Sequence, residues 1–189
     1  MKRRKLFLLI IVLFTFSQIS YAPDLSNEKI DEYRILMQIR LDEKRRQEEL
    51  EKFLEAVAYS ESRGNPKAYN RFGYIGKYQF GYLARKSCGF GNISFTDFMR
   101  NPLVWSEVEQ DTAMIRLLTK NEQHLREIIH QYNGITIRGV EITKSGLLAA
   151  AHLAGAGGVM KYFEYGYNPT DAYGTGLEDY LIRFSGFNF

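Results

Sequence analysis

Leu50, Leu54 and Val57 recur at spacings of four and three, and the next position on that face, four residues further on, is Glu61. Apolar residues so spaced lie along one stripe of an α-helix, and that stripe has to be buried against the rest of the chain. Gly64-Asn65-Pro66 follows at once and ends the helix. The spacing therefore predicts a carboxylate on the inward edge of a helix's final turn. The negative end of the helix dipole lies there, and the apolar stripe strips water from the group; both effects favour its protonated form. A neutral carboxylic acid is what protonating a glycosidic oxygen requires. Taken alone, a Glu at such a place is more often a frayed, solvated residue, so its neighbours must decide.

Upstream of the seam the chain changes character twice. Lys2, Arg3, Arg4 and Lys5 open it, the apolar run Leu6 to Phe14 follows, and small residues stand at Ser20 and Ala22. These are the parts of a secretory signal peptide over residues 1–22, and the run is shorter than the roughly 20 apolar residues a membrane span needs. Pro23 after the cut fits a peptidase poorly, which leaves open a cleaved signal or an uncleaved anchor. Either way the expectation is export to the periplasm or cell envelope, with membrane contact only through the N-terminal segment if it stays uncleaved. Residues 23–49 read as a charged helical stalk, with Ile30, Tyr33, Met37 and Leu41 at helical spacing and an apolar seam that lapses through Lys44 and Glu48. Residues 50–189 form the remaining domain.

Charge and motif content exclude several classes of function. The formal charge of +3 owes four units to the N-terminal cluster, and without it the chain is near −1. No interior stretch offers the basic, aromatic-interleaved surface of a nucleic-acid binder. His124, His130 and His152 lack zinc-site spacing, the Gly155 to Gly158 cluster does not follow a strand, and no Gly-x-Ser-x-Gly occurs. No metal and no cofactor is expected. The single cysteine, Cys88, reads as a buried thiol.

Downstream, Asn65 to Gly76 reads as loop, and Asn101-Pro102 as the start of long helical packing through Val104, Val108, Ile115, Leu118, Leu125, Ile129 and Tyr132, broken near Asn121. Ile135-Thr136-Ile137 and Val140-Glu141-Ile142 flank Arg138-Gly139 as a hairpin would. Ser145 to Ala154 reads as an Ala-rich helix interrupted by Gly155, Gly157 and Gly158, and Thr175 with Glu178 as a capping box opening a helix with Leu177, Tyr180, Leu181 and Phe184 inward. The predicted domain is mainly α with one small hairpin.

Three blocks then stand in order: Glu61-Ser62, Gly76-Lys77-Tyr78-Gln79, and Ala151-His152-Leu153-Ala154-Gly155-Ala156-Gly157. Together they resemble the lysozyme-like lytic transglycosylases of bacterial peptidoglycan, whose motifs are a Glu-Ser pair ending a helix, a Gly-x-x-Gln turn and an Ala-Tyr-Asn-Ala-Gly-x-Gly segment. The resemblance covers about Phe53 to Phe189 and departs from the third motif at His152-Leu153, which replace Tyr-Asn. It implies a lysozyme-like fold acting on peptidoglycan glycan strands, with Glu61 as the single catalytic acid. It also implies closure of a 1,6-anhydro ring on N-acetylmuramic acid.

Around Glu61, the candidate substrate-binding residues are Ser62, Tyr78, Gln79 and His152. Three of them have a plainer alternative: Gln79 bracing the loop, Tyr78 packing (with Tyr74 and Tyr82), His152 a satisfied helical side chain. Asp171, Glu178 and Asp179 are the nearest further acids, Glu178 read as a cap and the others as surface residues. Two other functions stay open: a muramidase-type hydrolase on the same fold, and a non-catalytic glycan-binding envelope protein.

Overall fold

The computed structural model describes residues 27–171 and 173–189; the signal segment 1–22 and the start of the stalk lie outside the described residues. The chain divides into two compact units between Lys44 and Arg45. What is described of the first is the leading part of helix α1 (Asn27–Ser62), whose side chains there are largely exposed, Tyr33, Leu36 and Leu41 included. Local pairs such as Arg34–Asp31 at 3.0 Å run along its surface. Exposed pairs of this kind contribute only a few tenths of a kcal/mol each, roughly. No helix among the described residues is long and apolar enough to cross a membrane.

The second unit is mainly helical with one small antiparallel sheet. After α1 come α2 (Tyr82–Ser87), α3 (Phe95–Arg100), a 3-10 turn at Pro102–Val104, α4 (Glu107–His124) and α5 (Arg126–Tyr132). The hairpin β1 (Thr136–Ile137) and β2 (Val140–Glu141) follows, then α6 (Lys144–Tyr165) and α7 (Leu177–Arg183). Leu147 to Ala151 of α6 are all buried, and α6 packs against α4 and α7. The small alanines let its neighbours approach closely, so α6 forms the centre of the unit. Phe53 and Val57 of α1 are fully buried, and Phe53 meets Phe184, Phe187 and Phe189 at ring separations of 6.0, 5.5 and 4.9 Å. The aromatic C-terminus thus clamps onto the helix that carries Glu61.

Local sequence signals are realised most faithfully in the hairpin. Ile137 pairs with Val140, while Arg138 and Gly139 take φ of 52° and 83°, the left-handed pair that a two-residue hairpin turn requires. Helix α6 kinks at Gly155, where φ is 71° and ψ 160°, but resumes and continues to Tyr165 instead of ending at the glycine cluster.

Four further expectations need correction. Asn101 caps only the 3-10 turn; the long helix starts at Glu107 behind a capping box formed by Ser106 and Glu109. Its break falls at Leu125, between α4 and α5, and Asn121 is a buried residue inside α4. The inward face of α4 also differs: Val108 and Ile115 are exposed, while Gln110, Ala113, Met114, Leu117 and Asn121 are buried. Counting apolar residues misplaces this face because two amides occupy core positions. Finally, α7 is capped one residue later than Thr175. Gly176 is the cap, its N–H donating to Asp179 at 2.7 Å, and Glu178 accepts a hydrogen bond from the Tyr162 hydroxyl at 2.8 Å instead. Burial, and then that bond, push the Tyr162 phenol up to about 12.

Candidate functional site

Glu61 sits in the last turn of α1, with its side chain 16% exposed. Arg63 and Gly64 turn left-handed after it, at φ of 59° and 74°, and the Gly64 N–H donates back to the Ala58 carbonyl at 3.0 Å. The carboxylate opens onto a cleft of about 600 Å3 whose walls include Ser62, Gln79, His152, Asp171 and Tyr180. Four of the five residues expected from the sequence, Glu61, Ser62, Gln79 and His152, therefore meet in one cleft although the first and last lie 91 residues apart.

Tyr180 is the most intimate partner of Glu61. It lies on the inner face of α7 beside buried Leu177 and Leu181, and its hydroxyl donates to Glu61 Oε1 at 2.5 Å. Burial raises the Tyr180 phenol well above its ordinary range, and the neighbouring carboxylate adds to this by charge and by the hydrogen bond itself. The hydroxyl consequently keeps its proton and acts as a donor throughout the neutral range. Among the described residues Oε2 of Glu61 has no protein partner. One oxygen is anchored and the other faces the cleft. Arg183, one turn from Tyr180, donates to Ser60 Oγ at 2.8 Å and fixes α7 to the end of α1.

His152 comes from α6 and is 6% exposed. Its Nε2 lies 2.9 Å from the Tyr78 carbonyl and 3.9 Å from Glu61 Oε1. A carbonyl only accepts, so Nε2 carries the hydrogen in that bond. His152 Nδ1 is buried without a partner.

The Gly76–Gln79 turn is held from three sides. Ile75 and Phe80 exchange backbone hydrogen bonds at 3.2 and 2.8 Å, closing a four-residue turn. Gly76 has a φ of 78°, and a Cβ there would come within 2.6 Å of Gln110 Oε1, so no other residue fits without displacing that amide. Gln110 is fully buried and accepts from the Lys77 N–H at 2.7 Å while donating to the carbonyls of Pro66 and Trp105 at 2.9 and 3.0 Å. Ser62 Oγ donates to the Lys77 carbonyl at 2.7 Å, tying the turn to the residue next to Glu61. Gln79 itself is left-handed at φ 49°, accepts from Asn70 Nδ2 at 3.0 Å and donates to the Gly76 carbonyl at 2.9 Å. Both Ser62 and Gln79 thus line the cleft and brace it.

Tyr78 is placed differently from the other candidates. Its ring is buried and its hydroxyl donates to Asp111 Oδ1 at 2.6 Å, beside the Lys77 ammonium and away from the Glu61 cleft. Its ring packs against Phe80 and does not present a face to a ligand there; only its carbonyl reaches the site, through His152. Periodicity could not separate these roles, because alternating tyrosines look alike before a turn is formed. Tyr74, by contrast, is exposed and on the cleft wall.

Sequence reasoning missed Tyr180, Asn70, Gln110 and the cleft position of Asp171. Tyr180 had a usable signal: a tyrosine on an inward helical face needs a partner for its hydroxyl. Asp171 turns one oxygen to the N–H groups of Tyr173 and Thr175, at 2.8 and 2.9 Å, and so shapes the loop before α7. Among the described residues no group of three or more His, Cys, Asp or Glu side chains could hold a metal ion. No known family model, curated protein or solved structure matches the chain.

Proposed function

We propose that this protein is an exported peptidoglycan lytic transglycosylase on a lysozyme-like fold, with Glu61 as its general acid and base. The observation that carries the reading is the state of one carboxylate. Glu61 is mostly buried on a cleft wall, Tyr180 anchors one oxygen, and the other has no protein partner among the described residues. A carboxyl group so placed can give a proton to a substrate oxygen and later take one from the same region of the cleft. In the proposed reaction Glu61 protonates the oxygen linking N-acetylmuramic acid to N-acetylglucosamine, and the bond from the anomeric carbon to that oxygen breaks. The muramic C6 hydroxyl then loses its proton to the Glu61 carboxylate as its oxygen bonds the anomeric carbon. The products are an alcohol and a 1,6-anhydro ring, and the enzyme is returned protonated.

A hydrolase is the second reading, favoured by one observation: Asp171 lines the same cleft. A second carboxylate that activates water would make the site a two-acid glycosidase. Asp171 is already committed to two backbone N–H groups, which suits a structural part better. Paired variants decide between them. Glu61→Gln should cut purified peptidoglycan roughly 10²–10⁴-fold more slowly with an unchanged melting profile, the loss typical of removing a general acid. Asp171→Asn, which keeps the acceptor for both N–H groups, should stay near the parental rate. An equal collapse in Asp171→Asn favours hydrolysis, and near-parental cutting by Glu61→Gln removes Glu61 from the mechanism.

A further inference from the structure

A second hollow, of about 860 Å3, adjoins the Glu61 cleft and shares Tyr74, Gln79, His152 and Leu153 with it. Among the described residues no acid lines it. Arg85 does, although its side chain is only 1% exposed. Nη1 of Arg85 donates to the Phe80 carbonyl at 2.6 Å, Nε has no partner, and no carboxylate forms an ion pair with Arg85 among the described residues. Asn121 of α4 lines the same hollow, is buried, and leaves Nδ2 unpaired among the described residues. Leu83, Phe95 and Leu117 supply apolar wall beside them.

An unpaired buried guanidinium is costly, because burial disfavours its charge and most of its five N–H groups need acceptors. Burial indeed pulls the Arg85 guanidinium below its ordinary value, and the Tyr82 hydroxyl opposes this. The same chain handles a half-buried lysine quite differently. Lys77 is given two carboxylates, Glu107 at 2.9 Å and Asp111 at 2.8 Å. The missing acid at Arg85 is therefore a feature of that hollow, and the second unpaired donor at Asn121 points the same way: both groups lack an anionic acceptor.

Resting on the glycan-cleaving reading, we propose that this hollow receives a carboxylate of the glycan substrate, paired with Arg85 and hydrogen-bonded by Asn121. A guanidinium matches a carboxylate's two oxygens, and the apolar walls suit the carbon skeleton that carries it. Two parts of peptidoglycan supply this chemistry: the free lactyl carboxylate of peptide-stripped muramic acid, and the carboxylates of the stem peptide.

Binding to the full chain carrying Glu61→Gln, which lets ligand persist uncut, tests this. Calorimetric titration would compare peptide-free glycan oligosaccharides, peptide-bearing ones, and N-acetylglucosamine oligosaccharides of equal length that carry no carboxylate. Whichever acidic series supplies the carboxylate should bind about tenfold tighter than the neutral one, a difference of about 1.4 kcal/mol. That advantage should vanish in Arg85→Met. Should Arg85→Met melt early, Asn121→Leu serves in its place and should narrow the gap without loss of fold. Equal affinity for acidic and neutral oligosaccharides, or a preference that survives both substitutions, overturns the proposal. If no glycan binds at all, the glycan-cleaving reading fails instead. The carboxylate site is then judged alone by sodium D-lactate, which should shift the Asn121 side-chain amide signal where equal sodium chloride does not.

Discussion

The Glu61 cleft and the Arg85 hollow share a wall, yet they treat buried polar groups in opposite ways. Around Glu61 most such groups have their partners, His152 Nδ1 being the exception: Tyr180 on Oε1, Ser62 on the Lys77 carbonyl, Gln79 on Asn70 and Gly76, Gln110 with three bonds beneath the turn. In the hollow, Arg85 and Asn121 each keep a buried donor without an acceptor. Satisfied networks fix geometry, whereas unsatisfied donors raise the free energy of the empty state and lower it only when something arrives to accept from them. One region is built to hold a group in place. The other is built to be filled.

Substitutions that remove a polar group without changing its size much should expose this contrast as a graded series in thermal melting. The largest loss belongs to Gln110→Leu. It leaves the Lys77 N–H and the carbonyls of Pro66 and Trp105 without partners, at about 1 kcal/mol each. For a chain of this length roughly 3 kcal/mol corresponds to a fall in Tm of about 6–12 °C. A melt within a degree of the parental protein would show that the turn does not depend on that amide.

Tyr180→Phe comes next. One hydrogen bond to a partly exposed carboxylate is lost, so stability should drop by only about 1 kcal/mol. Its larger effect is on the reaction, since Tyr180 positions Glu61: kcat for glycan cleavage should fall about tenfold with KM little changed. A rise in KM at constant kcat would make Tyr180 a substrate contact instead.

Asn121→Leu should have the smallest effect, and its sign is the informative part. Replacing a buried donor that has no acceptor by an apolar side chain of similar volume should leave Tm unchanged or raise it slightly. A clear loss of stability would mean that Asn121 Nδ2 is satisfied in the empty protein, and the contrast between the two regions would disappear.

How far the sequence could be read follows the same division. The hairpin at Arg138-Gly139 and the end of α1 at Gly64 were legible because a few adjacent residues determine them. The Ser106–Glu109 capping box was equally legible, but the stronger-looking Asn101-Pro102 pair drew the helix start forward. Glu61 stood out because an apolar stripe ran into it. Gln110, Asn121 and Arg85 did not, since nothing local marks a polar residue as buried. Gln110 is held by Lys77 and Pro66, 33 and 44 residues away, and such partners exist only once the chain has folded. The same dependence on distant contacts put the inward face of α4 on Val108 and Ile115 and gave Glu178 to a cap instead of to Tyr162.

The central claim is that a single carboxylate both breaks the glycosidic bond and closes the ring, with no water entering the product. Digesting purified peptidoglycan in water enriched in oxygen-18, followed by mass spectrometry of the released fragments, tests that directly. The expected products are muropeptides one water lighter than their reducing counterparts, carrying no label at the anomeric carbon. Labelled reducing ends would mean that water attacks, with Asp171 the first acid to consider. Intact glycan after prolonged digestion by well-folded protein would contradict the claim altogether.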